Sequence, residues 1–183
     1  MPETTPSQTV GPFFEYALPY EGGKRLVTPG DPDAIRIVGR VFDGDGQPVD
    51  DALLEIWQAN RAGRYRHPED TREELPLEDG FTGFGRCATD AEGRFEFVTV
   101  KPGAADGQAP HISVCVLARG LLKQLYTRIY LPDAADANAA DPLLASIADD
   151  RVRATLIAEP RGERALGFDI HLQGKRETVF LDV

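Results

Sequence analysis

Long apolar runs, basic charge, histidine and cysteine are all scarce in this sequence. No apolar stretch approaches the roughly 20 residues that span a bilayer, and the opening MPETTPSQTV lacks the basic start and apolar run of a secretory signal. A cytoplasmic location is the expectation. Twenty Lys and Arg stand against thirty Asp and Glu, a formal charge of −10. That balance disfavours nucleic acid, whose phosphates must be met by cations, and anionic membranes for the same reason. The two cysteines, Cys87 and Cys115, sit in apolar strand-like contexts without a C-x-x-C spacing or a basic neighbour, so they read as buried free thiols. The glycines form neither G-x-x-x-x-G-K-S/T nor G-x-G-x-x-G, and there is no G-x-S-x-G elbow. Phosphate-loop chemistry and Ser-His-Asp hydrolysis are thereby disfavoured.

What is present is the material of a folded, turn-rich domain. Apolar residues make up 42% of the 183 positions, enough for a core without staples, and 18 Gly with 14 Pro favour many turns and hence many strands. Residues 1–33 carry three Pro-containing groups and no periodicity. They read as an extended arm of the same domain, bearing Phe13, Phe14, Tyr16 and Tyr20, that either covers its own domain or reaches a partner subunit. The sandwich domain proper is expected over 34–183. IRIVGRVFD, the turn GDGQPV and DALLEIWQAN read as a hairpin, and the polar stretch from Arg61 to Gly80 as a long functional or partner-contacting loop. FGRCATDAEGRFEFVTVKPG holds two strands around an Asp-x-x-Gly turn, and HISVCVLARG pairs with KQLYTRIYLP. One short helical segment is expected where Leu143, Leu144 and Ile147 recur at helical spacing, and ALGFDIHLQG with ETVFLDV should close the chain as a last hairpin. Eight or more strands and little helix predict an all-β, two-sheet sandwich.

With three histidines in all, no pair sits at metal-ligand spacing. His67 reads as a solvated loop residue and His171 as a hydrogen-bonded structural one. His111 opens a buried strand, and a strand displays alternate residues on one face, so His-x-His there would present two ligands together. The second place is Ser113.

TPSQTVGPFF, GRVFDGDGQPVDDALLEIWQANRAGRYRH, FGRCATDAEGRFEFVTVKPG, APHISVCVLARG, LYTRIYLPD and FDIHLQGKRETVFLDV follow one another as in the intradiol ring-cleaving dioxygenases. The resemblance covers nearly the whole chain and is most detailed toward the alpha chains of the two-chain members. In that family Fe(III) is held by two tyrosinates and a strand-borne His-x-His. The tyrosine expected shortly after KPG is replaced by Ala104-Ala105, the other would fall near Glu73 where no Tyr occurs, and Ser113 stands for the second histidine. At most His111 survives as a remnant, and a single imidazole cannot hold Fe(III) against water.

The resemblance therefore implies an alpha subunit with no catalytic residue or metal ligand of its own, in a higher-order alpha–beta oligomer whose beta subunit holds Fe(III). The implied reaction is O2-dependent intradiol cleavage of protocatechuate to 3-carboxy-cis,cis-muconate in aromatic catabolism through the beta-ketoadipate pathway. Thr9, Gly11 and Pro12 look like the arm that lines the substrate pocket, and Arg119 like the arginine at its edge, where a guanidinium attracts an anionic catechol acid. Two other readings stay open: a non-enzymatic binding module on the same fold, and a self-sufficient dioxygenase using Tyr65, Tyr126 or Tyr130 as ligands.

Overall fold

The computed structural model describes residues 17–182. Two sheets face each other. One has the order β4-β1-β8-β7, built from β1 (Ile35–Phe42), β4 (Arg94–Thr99), β7 (Glu159–Pro160) and β8 (Ala165–Gly167), with β9 (Ile170–His171) pairing β1 beyond β8. The other has the order β3-β2-β5-β6, from β2 (Leu53–Trp57), β3 (Phe84–Ala88), β5 (His111–Leu117) and β6 (Leu125–Tyr130). The expected all-β sandwich is the fold. Alternation along each strand sends Ile35, Ile37 and Val41 of β1, Leu54 and Ile56 of β2, Phe95 and Phe97 of β4, and Ile112, Val114 and Val116 of β5 into one shared core.

The expected hairpin between the first two strands does not form. β1 pairs with β4, β8 and β9, whereas β2 pairs with β3 and β5 in the opposite sheet. The Asp43 carboxylate accepts the N–H groups of Asp45 and Gln47 and does make a tight turn, and Val49 N–H bonds back to the Val41 carbonyl. The chain returns only that far before a second turn at Asp50-Asp51 redirects it across the core. Both strands bury an alternating apolar face, and placing them on opposite sides of the core satisfies that as well as pairing them would. The Asp90–Gly93 turn makes the same kind of crossing, since β3 and β4 also belong to different sheets.

The last hairpin is likewise replaced. β8 and β9 run parallel to β1, and the C-terminal segment is pinned to β9 at Thr178, whose N–H bonds the His171 carbonyl and whose hydroxyl accepts the His171 N–H, before passing to β6. There Thr127 donates its hydroxyl to the Val179 carbonyl and Leu181 N–H bonds the Tyr126 carbonyl. The single expected helical segment resolves into three short helices, α1 (Ala135–Ala140), α2 (Pro142–Ser146) and α3 (Asp150–Ala154). Pro142 has no N–H to continue α1 and holds Asp141 in extended backbone, and Asp149 caps α3 after a similar break.

Of the arm, Phe13, Phe14 and Tyr16 lie outside the described residues. Its later part packs on its own domain: Leu26 is fully buried, and residues 23–26 bond to β4 at Val98 on one side and to Thr82 and Arg86 on the other. This stretch covers the seam between the two sheets. Among the described residues no helix is long and apolar enough to cross a membrane.

Gly39 shows how tightly β1 is held. A Cβ there would meet the Phe168 carbonyl oxygen at 1.9 Å and the Phe95 ring at 2.8 Å, because the chain between β8 and β9 bends over this point. Backbone cannot yield as a side-chain tip can, so Gly39→Ala should cost about 3 kcal/mol or more. A urea midpoint unchanged from wild type would show that the bend relaxes freely.

Candidate functional site

β5 is the central element of the site, because its outward positions carry the residues that a strand-borne metal centre would use. His111, Ser113 and Cys115 alternate with the core residues and stand opposite Tyr130, Arg128 and Tyr126 of β6. Ser113 and Cys115 also stand opposite Trp57 and Glu55 of β2.

His111 is 6% exposed and its Nδ1 lies 2.8 Å from the Ala109 carbonyl. A carbonyl can only accept, so Nδ1 carries the proton and Nε2 is the free acceptor of a neutral ring. Burial pulls the imidazole below its ordinary pKa; the Ala109 carbonyl opposes that, the Arg128 charge adds to it, and Asp141 opposes it. The ring leans on Tyr130 with centroids 5.6 Å apart. Tyr130 is fully buried and its hydroxyl donates to Asp141 Oδ1 at 3.1 Å, while Arg128 donates to the phenol oxygen at 3.3 Å. Burial pushes this phenol up to about 12.

Asp141 ties the neighbourhood together. It is 1% exposed, and it accepts the N–H groups of Ala109, Leu143 and Leu144 as well as the Tyr130 hydroxyl. Burial would raise its carboxyl, but these donors outweigh it and hold the group below the usual carboxylate range. One carboxylate thus caps α2 and clamps the residue two before His111. Sequence reasoning passed over Asp141, although Asp-Pro at a helix start is a readable N-cap signal.

The other expected ligand positions do not assemble a ligand set for a ferric ion. Ala104 and Ala105 have no donor atoms, Ser113 has one short hydroxyl, and Glu73 is exposed in the long loop. That loop is fastened by its own polar groups: Asn60 donates to the Pro76 carbonyl, Arg64 to the Leu75 carbonyl, and Arg72 forks onto Asp70. Among the described residues no three His, Cys, Asp or Glu converge as a metal site. The residues present therefore do not fit an Fe(III) centre. Nor do the three tyrosines weighed as replacements. Tyr65 stacks on Trp57 at 5.9 Å with its phenol raised by burial, Tyr126 accepts from Gln124, and Tyr130 is committed to Asp141. His67 stands edge-on to Trp57 at 6.4 Å beside a cavity of about 420 Å³ that Trp57, Tyr65, Asp70, Arg72 and Asp106 help to line. Both thiols are raised by burial, that of Cys115 to about 11 with Glu55 adding to the effect, which leaves them weak nucleophiles at neutral pH.

Arg119 lies beyond the opposite end of β5, a strand that spans roughly 20 Å, so the structure does not bring it together with His111. It occupies the turn from Ala118 to Leu121, closed by Leu121 N–H on the Ala118 carbonyl, with Gly120 at φ +90°. A type II turn needs that positive φ at its third residue, which explains the Gly. The side chain is 69% exposed, with Nε 2.8 Å from Asp51 Oδ2. Thr9, Gly11 and Pro12 lie outside the described residues. His171 stacks on Phe42 at 4.9 Å, as a structural residue would.

A family model described as dioxygenase (Dioxygenase_C) matches residues 10–174. The protocatechuate 3,4-dioxygenase alpha chain of Burkholderia cepacia is 47% identical, covering 98% of this chain and 97% of that one. The beta chain of the same organism's enzyme is 40% identical over 88% of this chain and 74% of its own length. Among solved structures, the dioxygenase domain of a dioxygenase and carbohydrate-binding fusion from Streptomyces sp. SirexAA-E superposes with a TM-score of 0.61 at 29% identity, covering 94% of this chain and 99% of that domain.

Because the fold keeps His111 neutral, protonation opposes folding. Its stabilisation is complete above the unfolded value near 6.5 and is lost as pH falls toward the depressed folded value. His171 shifts the same way, so His111→Gln should remove one part of the loss of stability between pH 7.5 and 5. Denaturant titrations at the two pH values test this; an identical loss in the variant would assign the whole dependence elsewhere.

Proposed function

The chain belongs to the intradiol ring-cleaving dioxygenases, and from that premise we propose that it is the alpha subunit of a protocatechuate 3,4-dioxygenase. In this reading a beta subunit holds the Fe(III), and the complex opens the ring of protocatechuate between its hydroxylated carbons, with O2, to give 3-carboxy-cis,cis-muconate. The observation that carries the assignment is the near end-to-end likeness to a relative named an alpha chain, which exceeds that to the beta chain of the same enzyme. The stripped ligand set supports the division of labour: a family member with Ala104-Ala105 after KPG, no tyrosine near Glu73 and Ser113 in place of a histidine depends on another chain for its metal.

This chain would then supply pocket wall, charge and assembly surface. Arg119 is the residue we assign to the substrate carboxylate. A guanidinium remains charged at every working pH and meets a carboxylate through two parallel N–H donors. On a chain of formal charge −10 a local cation is needed to draw an anionic substrate. The exposure of Arg119 leaves its amino groups free to reach into a pocket completed by a partner. Thr9, Gly11 and Pro12 would line the same pocket, Gly11 allowing backbone to approach an aromatic ring closely.

Iron content and visible absorption distinguish this reading from a self-sufficient enzyme. The chain purified alone should be colourless and iron-poor, with iron and tyrosinate-to-Fe(III) absorption appearing on co-expression with a beta-type chain. A coloured, iron-loaded chain on its own would overturn the assignment. In the complex, Arg119→Ala should raise KM for protocatechuate more than it lowers kcat; an unchanged kcat/KM would remove Arg119 from the pocket.

A further inference from the structure

We infer that Asp51 is a positioning residue for substrate recognition, acting through Arg119. The inference rests on the assignment of Arg119 to the substrate carboxylate. Arg119 ends a long, flexible stem in a solvent-exposed turn, and such a side chain must lose its rotamer freedom before it can grip an anion in one geometry. Asp51 stands where it can remove that freedom in advance. Its Oδ2 lies 2.8 Å from Nε, and its side chain is only 16% exposed against 69% for Arg119.

Asp51 is itself on a rigid platform. The next residue, Ala52, is fully buried, its N–H donates to the Thr89 hydroxyl, and its carbonyl accepts the Thr89 N–H. The same hydroxyl lies 2.9 Å from the Val49 carbonyl, so one buried Thr89 fastens both sides of the turn that carries Asp51. The pair therefore joins two turns at one end of the second sheet, one held by Thr89 and the other closed through Gly120.

The place of the contact has a chemical consequence. The closest approach of Asp51 is to Nε, at the stem of the guanidinium, rather than to a terminal amino group, and the Arg119 side chain is 69% exposed. Terminal amino groups therefore remain for an anion that docks on this end of the sandwich. Asp51 weakens the net positive charge of Arg119 at long range, so its contribution is one of orientation rather than attraction. A pair with one partner 69% exposed is screened by solvent and adds little to folding, which makes it readable in kinetics without a collapse of the fold.

The test is a double-mutant cycle in the complex co-expressed with its beta-type partner. Asp51→Ala should raise KM for protocatechuate about three- to tenfold, with kcat within twofold and little change in Tm. The same substitution in an Arg119→Ala background should add nothing. Competitive inhibition by catechol, which lacks the carboxylate, should be the same in Asp51→Ala as in wild type, and Asp51→Glu should recover part of the lost affinity. Should Asp51→Ala fail to fold, Asp51→Asn serves in its place. An equal KM increase in the Arg119→Ala background, or an equal loss of catechol affinity, would overturn the inference. A silent Asp51→Ala beside an impaired Arg119→Ala would overturn it while leaving Arg119 in the pocket, and a silent Arg119→Ala would overturn both.

Discussion

The period-two alternation of β5 couples the hydrophobic core to the row of polar side chains on the strand's other face. Ile112, Val114 and Val116 cannot leave the core without exposing a fully apolar face, so His111, Ser113 and Cys115 must point outward. β5 is also bonded on both sides, to β2 and to β6, and that pairing brings Trp57, Glu55, Tyr126, Arg128 and Tyr130 alongside its outward row. A slip of one residue would destroy both arrangements at once. In the proposed reading, the strand keeps the geometry of a ligand-bearing element without the ligands.

In place of a metal, the start of β5 is organised by a carboxylate. Asp141 gathers three backbone N–H groups and a phenol into one buried network, and through the Ala109 N–H and carbonyl the same segment fixes the tautomer of His111. A charge so deeply buried is tolerable only when it is fully hydrogen-bonded, and removing any one donor would leave part of the desolvation penalty uncompensated. The Tyr130 phenol and the His111 imidazole beside it are held neutral, which is the opposite of what tyrosinate ligation requires.

The other end of β5 differs in kind. There the chain presents an exposed cation on a tight turn, restrained by a carboxylate from a neighbouring turn that is itself fastened to the core. The two ends of one strand thus divide between a closed, hydrogen-bonded network and an open turn that presents a cation. That division suits a subunit whose contribution to catalysis is made to a pocket completed by another chain.

Much of this was legible from residue order. Alternating apolar positions and turn residues were sufficient for a two-sheet sandwich, and Ala104-Ala105 after KPG, the lack of a tyrosine near Glu73 and Ser113 two residues after His111 were enough to expect a lost ligand set, since the alanines have no donor atoms and a lone serine hydroxyl does not replace an imidazole. The pairing of β1 with β4 instead of β2, the division of the helical segment into three, and the passage of the C-terminal segment to β6 were settled only by tertiary structure. An apolar strand face is satisfied by any partner across the core, so the local pattern does not choose among them. The clamp at Asp141 and the Asp51–Arg119 pair join residues far apart in sequence, 32 and 68 positions respectively. Only the folded chain brings such groups within hydrogen-bond or ion-pair distance.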